Sequence, residues 1–104
     1  MSLVHKSTVI PELLARVAKC LENEELDEKS LVDLTKYCAI IELFAFNDLN
    51  LVILEKANCV QLLADILHKC AKVEPSAESK LLIHQTLKCI SVVLRNNQIT
   101  LKML

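Results

Sequence analysis

Not one of the chain's 104 residues is glycine. A domain of this length and average composition holds about seven. Glycine reaches positive φ without a steric cost, and two-residue hairpin turns and phosphate-cradling loops depend on that freedom. The absence of glycine therefore excludes a phosphate-cradling loop and argues against a turn-rich β fold. The apolar fraction, 53%, is too high for a chain that stays disordered. A formal net charge of −1 supplies no cationic field to draw the chain to nucleic acid or an anionic membrane. No uninterrupted apolar run exceeds four residues, as at 38–41, 43–46 and 51–54. A membrane span needs about twenty. We expect neither a nucleic-acid nor a membrane partner.

Apolar spacing places the helices. Ile10, Leu13, Leu14, Val17, Cys20 and Leu21 recur at helical intervals, so a helix is predicted over 9–21, capped by Ser7 or Thr8, with Pro11 in its first turn. Residues 22–30 carry five acids and one lysine and read as a solvated linker that also opens the next helix. A long helix is expected over 27–46. Leu31, Leu34, Tyr37, Cys38, Ile41, Phe44 and Ala45 form its stripe, and Ile40, Leu43 and Phe46 widen it, so it must be covered on more than one side. Asn47 reads as a break, with Asp48 as the cap of a short helix over 49–56. Asn58 reads as a left-handed stop before a helix over 59–72. Ser76 caps a fifth helix over 77–95, and Asn97, following Asn96, is a third break ahead of a segment over 99–104.

The pattern recurs. Leu13-Leu14-Ala15 matches Leu62-Leu63-Ala64 at an offset of 49. Lys19-Cys20, Ile40, Asn47, Leu51 and Leu54 match Lys69-Cys70, Ile90, Asn97, Leu101 and Leu104 at 50. A period of this size in a helical chain suggests a solenoid. The run Phe46-Asn47-Asp48-Leu49-Asn50-Leu51-Val52-Ile53-Leu54-Glu55-Lys56-Ala57-Asn58-Cys59-Val60-Gln61-Leu62-Leu63 resembles an armadillo repeat. That family has an Asn break, a short helix ending in Glu-Ala-Gly, then Ile-Pro-x-Leu-Val. Asn58 stands where the family's Gly usually stands, Val60-Gln61 stands for Ile-Pro, and Ile10-Pro11 keeps the pair intact.

The resemblance implies an all-α, armadillo-like right-handed superhelix, an α-solenoid fragment of five to six helices. Residues 9–46 are then a partial repeat, 48–95 a full repeat and 97–104 the start of a further one, within a longer array. The family's period is about 42, and the chain departs from it at 22–30 and 73–79. A HEAT-type array is the structural alternative. In the family, third helices line a concave groove, and the nuclear-import members carry Trp and Asn there, one turn apart. The matching positions here are Ala39 and Leu43 or Cys38 and Glu42, then Cys89 and Val93 or Lys88 and Val92. None is Trp or Asn, so import-peptide binding by that ladder is not expected.

Catalytic patterns are absent, and we expect no enzyme, no metal and no cofactor. Cys20, Cys38, Cys59, Cys70 and Cys89 are odd in number and lack a CxxC pair, so they read as buried reduced thiols of a cytoplasmic or nuclear protein. Among His5, His68 and His84, His68 and Cys70 face opposite sides of a helix, and Asp65 and His68 have no third orienting group. The best candidate surface is His84, Lys88, Ser91 and Arg95, spaced i, i+4, i+7 and i+11 on one helix face. An offset of 49 adds Thr35, Ala39 and Glu42 on the earlier long helix. The expected function is a non-catalytic protein–protein interaction or scaffold module gripping an acidic or phosphorylated segment. Neighbouring repeats and self-association are further expected contacts. The alternatives are a self-contained helical adaptor or oligomerisation domain and a chaperone-type or ubiquitin-pathway array.

Overall fold

In the absence of glycine, side-chain oxygens and one asparagine set the corners. The computed structural model describes residues 2–103, with side chains described for 9–94. It contains α1 (Ser2–Leu21), α2 (Glu28–Ala45), α3 (Asp48–Lys56), α4 (Cys59–Cys70) and α5 (Ala77–Met103), and no strand among the described residues. The long helices α2 and α5 begin in the same way. The Ser30 amide donates to Asp27 Oδ1 at 2.8 Å, and the Ser79 amide donates to Ser76 Oγ at 3.1 Å. Each bond satisfies one of the orphan donors of a first turn. Ser79 Oγ also accepts from the Ser76 amide at 2.8 Å, so serine performs the reciprocal half of a capping box. Asn47 caps α3 itself, its Oδ1 accepting from Leu49 and Asn50 at 3.0 and 3.2 Å. Its φ of −97° is extended, so Asp48 is the first helical residue and not the cap. Asn58 has φ 62° and ψ 41°, the left-handed stop expected there. Of the L-residues other than glycine, Asn tolerates that region best.

Four further expectations are corrected. α1 begins before the expected Ser7 or Thr8 cap and holds Pro11 inside it. The acidic linker is not wholly solvated: Leu26 is buried with Leu31 and the core, while Glu22, Glu24 and Glu25 stay exposed. The Lys69 ammonium of α4 donates to the carbonyls of Asn23 and Glu24, the second at 3.4 Å, and so ties this linker down. α4 ends at Cys70, two residues short of the predicted end. Finally, α5 runs through Asn96 and Asn97, so neither the Asn97 break nor a separate sixth helix forms. One Asn inside a helix costs less than about 1 kcal/mol, too little to end a helix that its first four turns have already seated. The side chains of residues 95–104 lie outside those described.

The helices form two layers. α1 lies beside α2 and α4, and α5 lies beside α2 and α4. The body measures 41 × 34 × 19 Å, its short axis matching two helices set side by side. α3 lies across one end and buries Leu51 and Leu54. The most extensive contact is between α2 and α5. On α2 the buried stripe is Leu31, Leu34, Cys38, Ile41 and Ala45, and on α5 it is Ser79, Leu82, Thr86, Cys89 and Val93. The two stripes superpose at a single offset of 48. In the other layer Ile10, Leu14 and Val17 correspond to Cys59, Leu63 and Ile66 at 49.

Two outcomes follow from this packing. Ile41→Asp places a carboxylate where the side chain is 1% exposed, at a cost of several kcal/mol. Its circular-dichroism melt should lose cooperativity, and a retained cooperative transition would remove α2 from the centre of the fold. At the α3–α4 corner, Asn58→Ala should destabilise by about 1 kcal/mol while Asn58→Gly does not, measured by urea unfolding.

Candidate functional site

The faces of α2 and α5 opposite their buried stripes form one outer surface. α2 exposes Val32, Lys36, Ile40, Leu43 and Phe46 at intervals of three or four residues. α5 exposes Lys80, Leu81, His84, Leu87, Lys88 and Ser91. The two rows flank the seam where the Gln85 amide donates to Glu42 Oε1 at 2.6 Å. Leu43 is 70% exposed and Leu81 61%, levels at which a large apolar side chain is left uncovered by its own fold. Lys36, Lys80 and Lys88 have no acidic partner among the described residues. The ion pair present there is Arg16–Glu12 at 3.8 Å, on α1. The surface therefore combines apolar side chains with unneutralised ammonium groups. Most carboxylates lie elsewhere, on the α1–α2 linker, on α3 and beyond α4.

The sequence-derived candidates separate into two groups. His84, Lys88 and Ser91 lie exposed in one row of α5, and the side chain of Arg95 lies outside those described. Thr35 and Glu42 are half-buried and already engaged: Thr35 Oγ1 donates to the Leu31 carbonyl at 2.8 Å, and Glu42 accepts from Gln85. At the offset of 48 that superposes the buried stripes, the equivalents of His84, Lys88 and Ser91 on α2 are Lys36, Ile40 and Leu43. The offsets of 49 and 50 given by identical letters do not align these three with that row. Matching apolar spacing would have found them.

The described residues contain no group of three or more His, Cys, Asp or Glu side chains able to hold a metal ion. Asp65 accepts from Gln61 Nε2 at 3.0 Å and is not set against His68 by any described bond. Cys38, Cys59, Cys70 and Cys89 are buried and Cys20 is half-buried, all as free thiols. Desolvation pushes Cys38 and Cys59 up to about 11 and raises Cys20, Cys70 and Cys89 as well. Thr86 Oγ1, 3.7 Å from Cys38 Sγ, opposes part of that effect. Protonated thiols in an apolar core are poor nucleophiles. A cleft of about 790 Å³ runs between α1 and α2, lined by both charges and by Tyr37 and Cys20, and is open to solvent rather than enclosing a ligand. No described helix is long and apolar enough to cross a membrane.

Comparison with models of known families, with curated proteins and with solved structures found no match.

The buried thiols make stability pH-dependent. An unfolded thiol titrates near 9.0, and folded Cys38 and Cys59 titrate near 11. Between these values the native state holds more protons than the unfolded state, so stability is full below pH 9 and falls as pH rises. Each such thiol contributes a slope of up to about 1.4 kcal/mol per pH unit. The melting temperature should be flat from about pH 7 to 8 and drop above 9. Cys38→Ala should make that drop shallower.

Proposed function

We propose that this chain is a non-catalytic protein–protein interaction or scaffold module, an armadillo-like segment of α-solenoid whose long helices hold a partner. It acts in a reducing compartment, where five free thiols persist. The solenoid reading is supported by the two superposing buried stripes and by the shared serine-assisted helix starts. The observation that carries the binding reading is the outer surface of α2 and α5. Lys36, Lys80 and Lys88 stand there without an acidic partner among the described residues, beside exposed Val32, Ile40 and Leu43. Exposed apolar side chains supply contact area, and unneutralised cations select a partner segment bearing carboxylates or phosphates.

A synthetic peptide of alternating leucine and glutamate, and its lysine-for-glutamate counterpart, test this by fluorescence anisotropy. The acidic peptide should bind, and more weakly as salt rises. The double variant Lys36→Glu, Lys88→Glu should lose at least about tenfold in affinity while its melt moves by less than about 0.5 kcal/mol. Equal binding of the two peptides, or undiminished binding by the variant, would overturn the assignment.

A further inference from the structure

α3 is amphipathic on a short scale. It buries Leu51 and Leu54, and its exposed residues are Asp48, Leu49, Val52 and Lys56. At about 100° per residue these four fall within an arc of about 100°, clear of the buried pair. Leu49 is 76% exposed, more than any other large apolar residue described, and Phe46, just before the corner, is 68% exposed. The corner that carries them is fixed. Asn47 Oδ1 holds the Leu49 and Asn50 amides, and the Phe46 amide donates to the Leu43 carbonyl at 3.4 Å. A face held in place this way loses little freedom on docking.

Along the helix this face reads acid, apolar, apolar, base. Asp48 stands at its start, Lys56 at its end and Val52 midway between them. Neither charge enters an ion pair among the described residues. A partner segment of one charge sign would gain at one end of such a face and lose at the other. An antiparallel copy of the same face gains at both. It sets Asp48 against Lys56 of the second copy, Lys56 against Asp48 of the second copy, and the two Val52 side chains against each other at the two-fold axis. An isologous contact requires this reciprocity, in which the residue that i meets also meets i in return.

We infer that two copies of this chain associate through α3, its exposed face packed antiparallel on itself about a two-fold axis. Leu49 and Val52 supply the apolar contact, with Phe46 at its edge, and the two Asp48–Lys56 pairs set the register. This surface is separate from the face of α2 and α5 assigned to an acidic segment, and neither assignment depends on the other. A helix of 9 residues is only about 13 Å long, so the contact buries less than the roughly 1,200 Å² of a standard interface. The dimer is therefore weak and reversible.

Sedimentation equilibrium under reductant tests it, with melts as the check on folding. The wild-type mass should rise with concentration to that of a dimer and no further. Leu49→Ser with Val52→Ser, both at exposed positions, should leave a monomer. Asp48→Lys sets lysine against lysine, and Lys56→Asp sets aspartate against aspartate, so each alone should dimerise about fivefold more weakly or worse. These two charges also suit the ends of the α3 dipole, so either reversal lowers the melt slightly. An equimolar mixture of the two variants restores both attractions between unlike copies and should recover wild-type affinity. The double variant Asp48→Lys, Lys56→Asp should recover it by itself. A wild type that stays monomeric overturns the proposal, as do masses beyond a dimer or association undiminished by the two serines or by either reversal. A mixture no tighter than its components overturns it too. Lys36→Glu with Lys88→Glu should leave the dimer unchanged, and loss of the dimer there would move the contact to the other surface and overturn the α3 assignment.

Discussion

The close seating of α2 against α5 is the constraint on which the remaining structure depends. The stripes these two helices bury alternate large and small: Leu31, Leu34 and Ile41 with Cys38 and Ala45 on α2, Leu82 and Val93 with Ser79, Thr86 and Cys89 on α5. Small residues at the contact let the helix axes approach, and the larger ones fill the grooves on either side. The polar atoms drawn into this contact are satisfied locally. Thr86 Oγ1 donates to the Leu82 carbonyl at 2.7 Å, and no buried side-chain nitrogen or oxygen is left unpartnered among the described residues. With this seam formed, α1 and α4 cover its inner side and α3 covers one end.

This arrangement explains why so much apolar surface stays outside. Two layers have two outer faces, and a helix greasy around more than half its girth cannot bury all of it against one neighbouring layer. α2 therefore shows Ile40, Leu43 and Phe46 to solvent after its core stripe is filled. The same faces carry exposed Lys36, Lys80 and Lys88, while Glu42 sits at the seam and the linker acids Glu22, Glu24 and Glu25 lie away from it. Charge and exposed hydrophobic area thus come from one choice of layer architecture, and they converge on one surface.

Much of the local structure was legible in the residues. α2 was placed to within one residue at each end, because Asp27 caps and Asn47 breaks by side-chain chemistry that needs no tertiary context. The left-handed Asn58 and the Ser76 cap were legible for the same reason. Misjudged features were those decided by distant contacts. Leu26 stands within a charged run, yet it is held by a core built from residues distant in the chain. Asn97 has the character of a breaker, but one residue's propensity is small beside that of a helix running from Ala77 to Met103. The candidate surface was legible on α5, where polar spacing identifies the exposed row. It was misregistered on α2, where Thr35 and Glu42 have the polarity of surface residues but are spent on internal bonds.

The core's dependence on sulfur has a further consequence. Four of the five thiols are shielded only as long as the helices stay assembled. Once the chain opens, all five become accessible together, and an odd number cannot pair off completely within one molecule. In an oxidising solution each opening event leads to mismatched bridges and cross-linked chains, so the transition becomes a one-way loss. With a reductant present the same opening is a return trip, and the molecule's working lifetime is set as much by the redox state of its surroundings as by its packing.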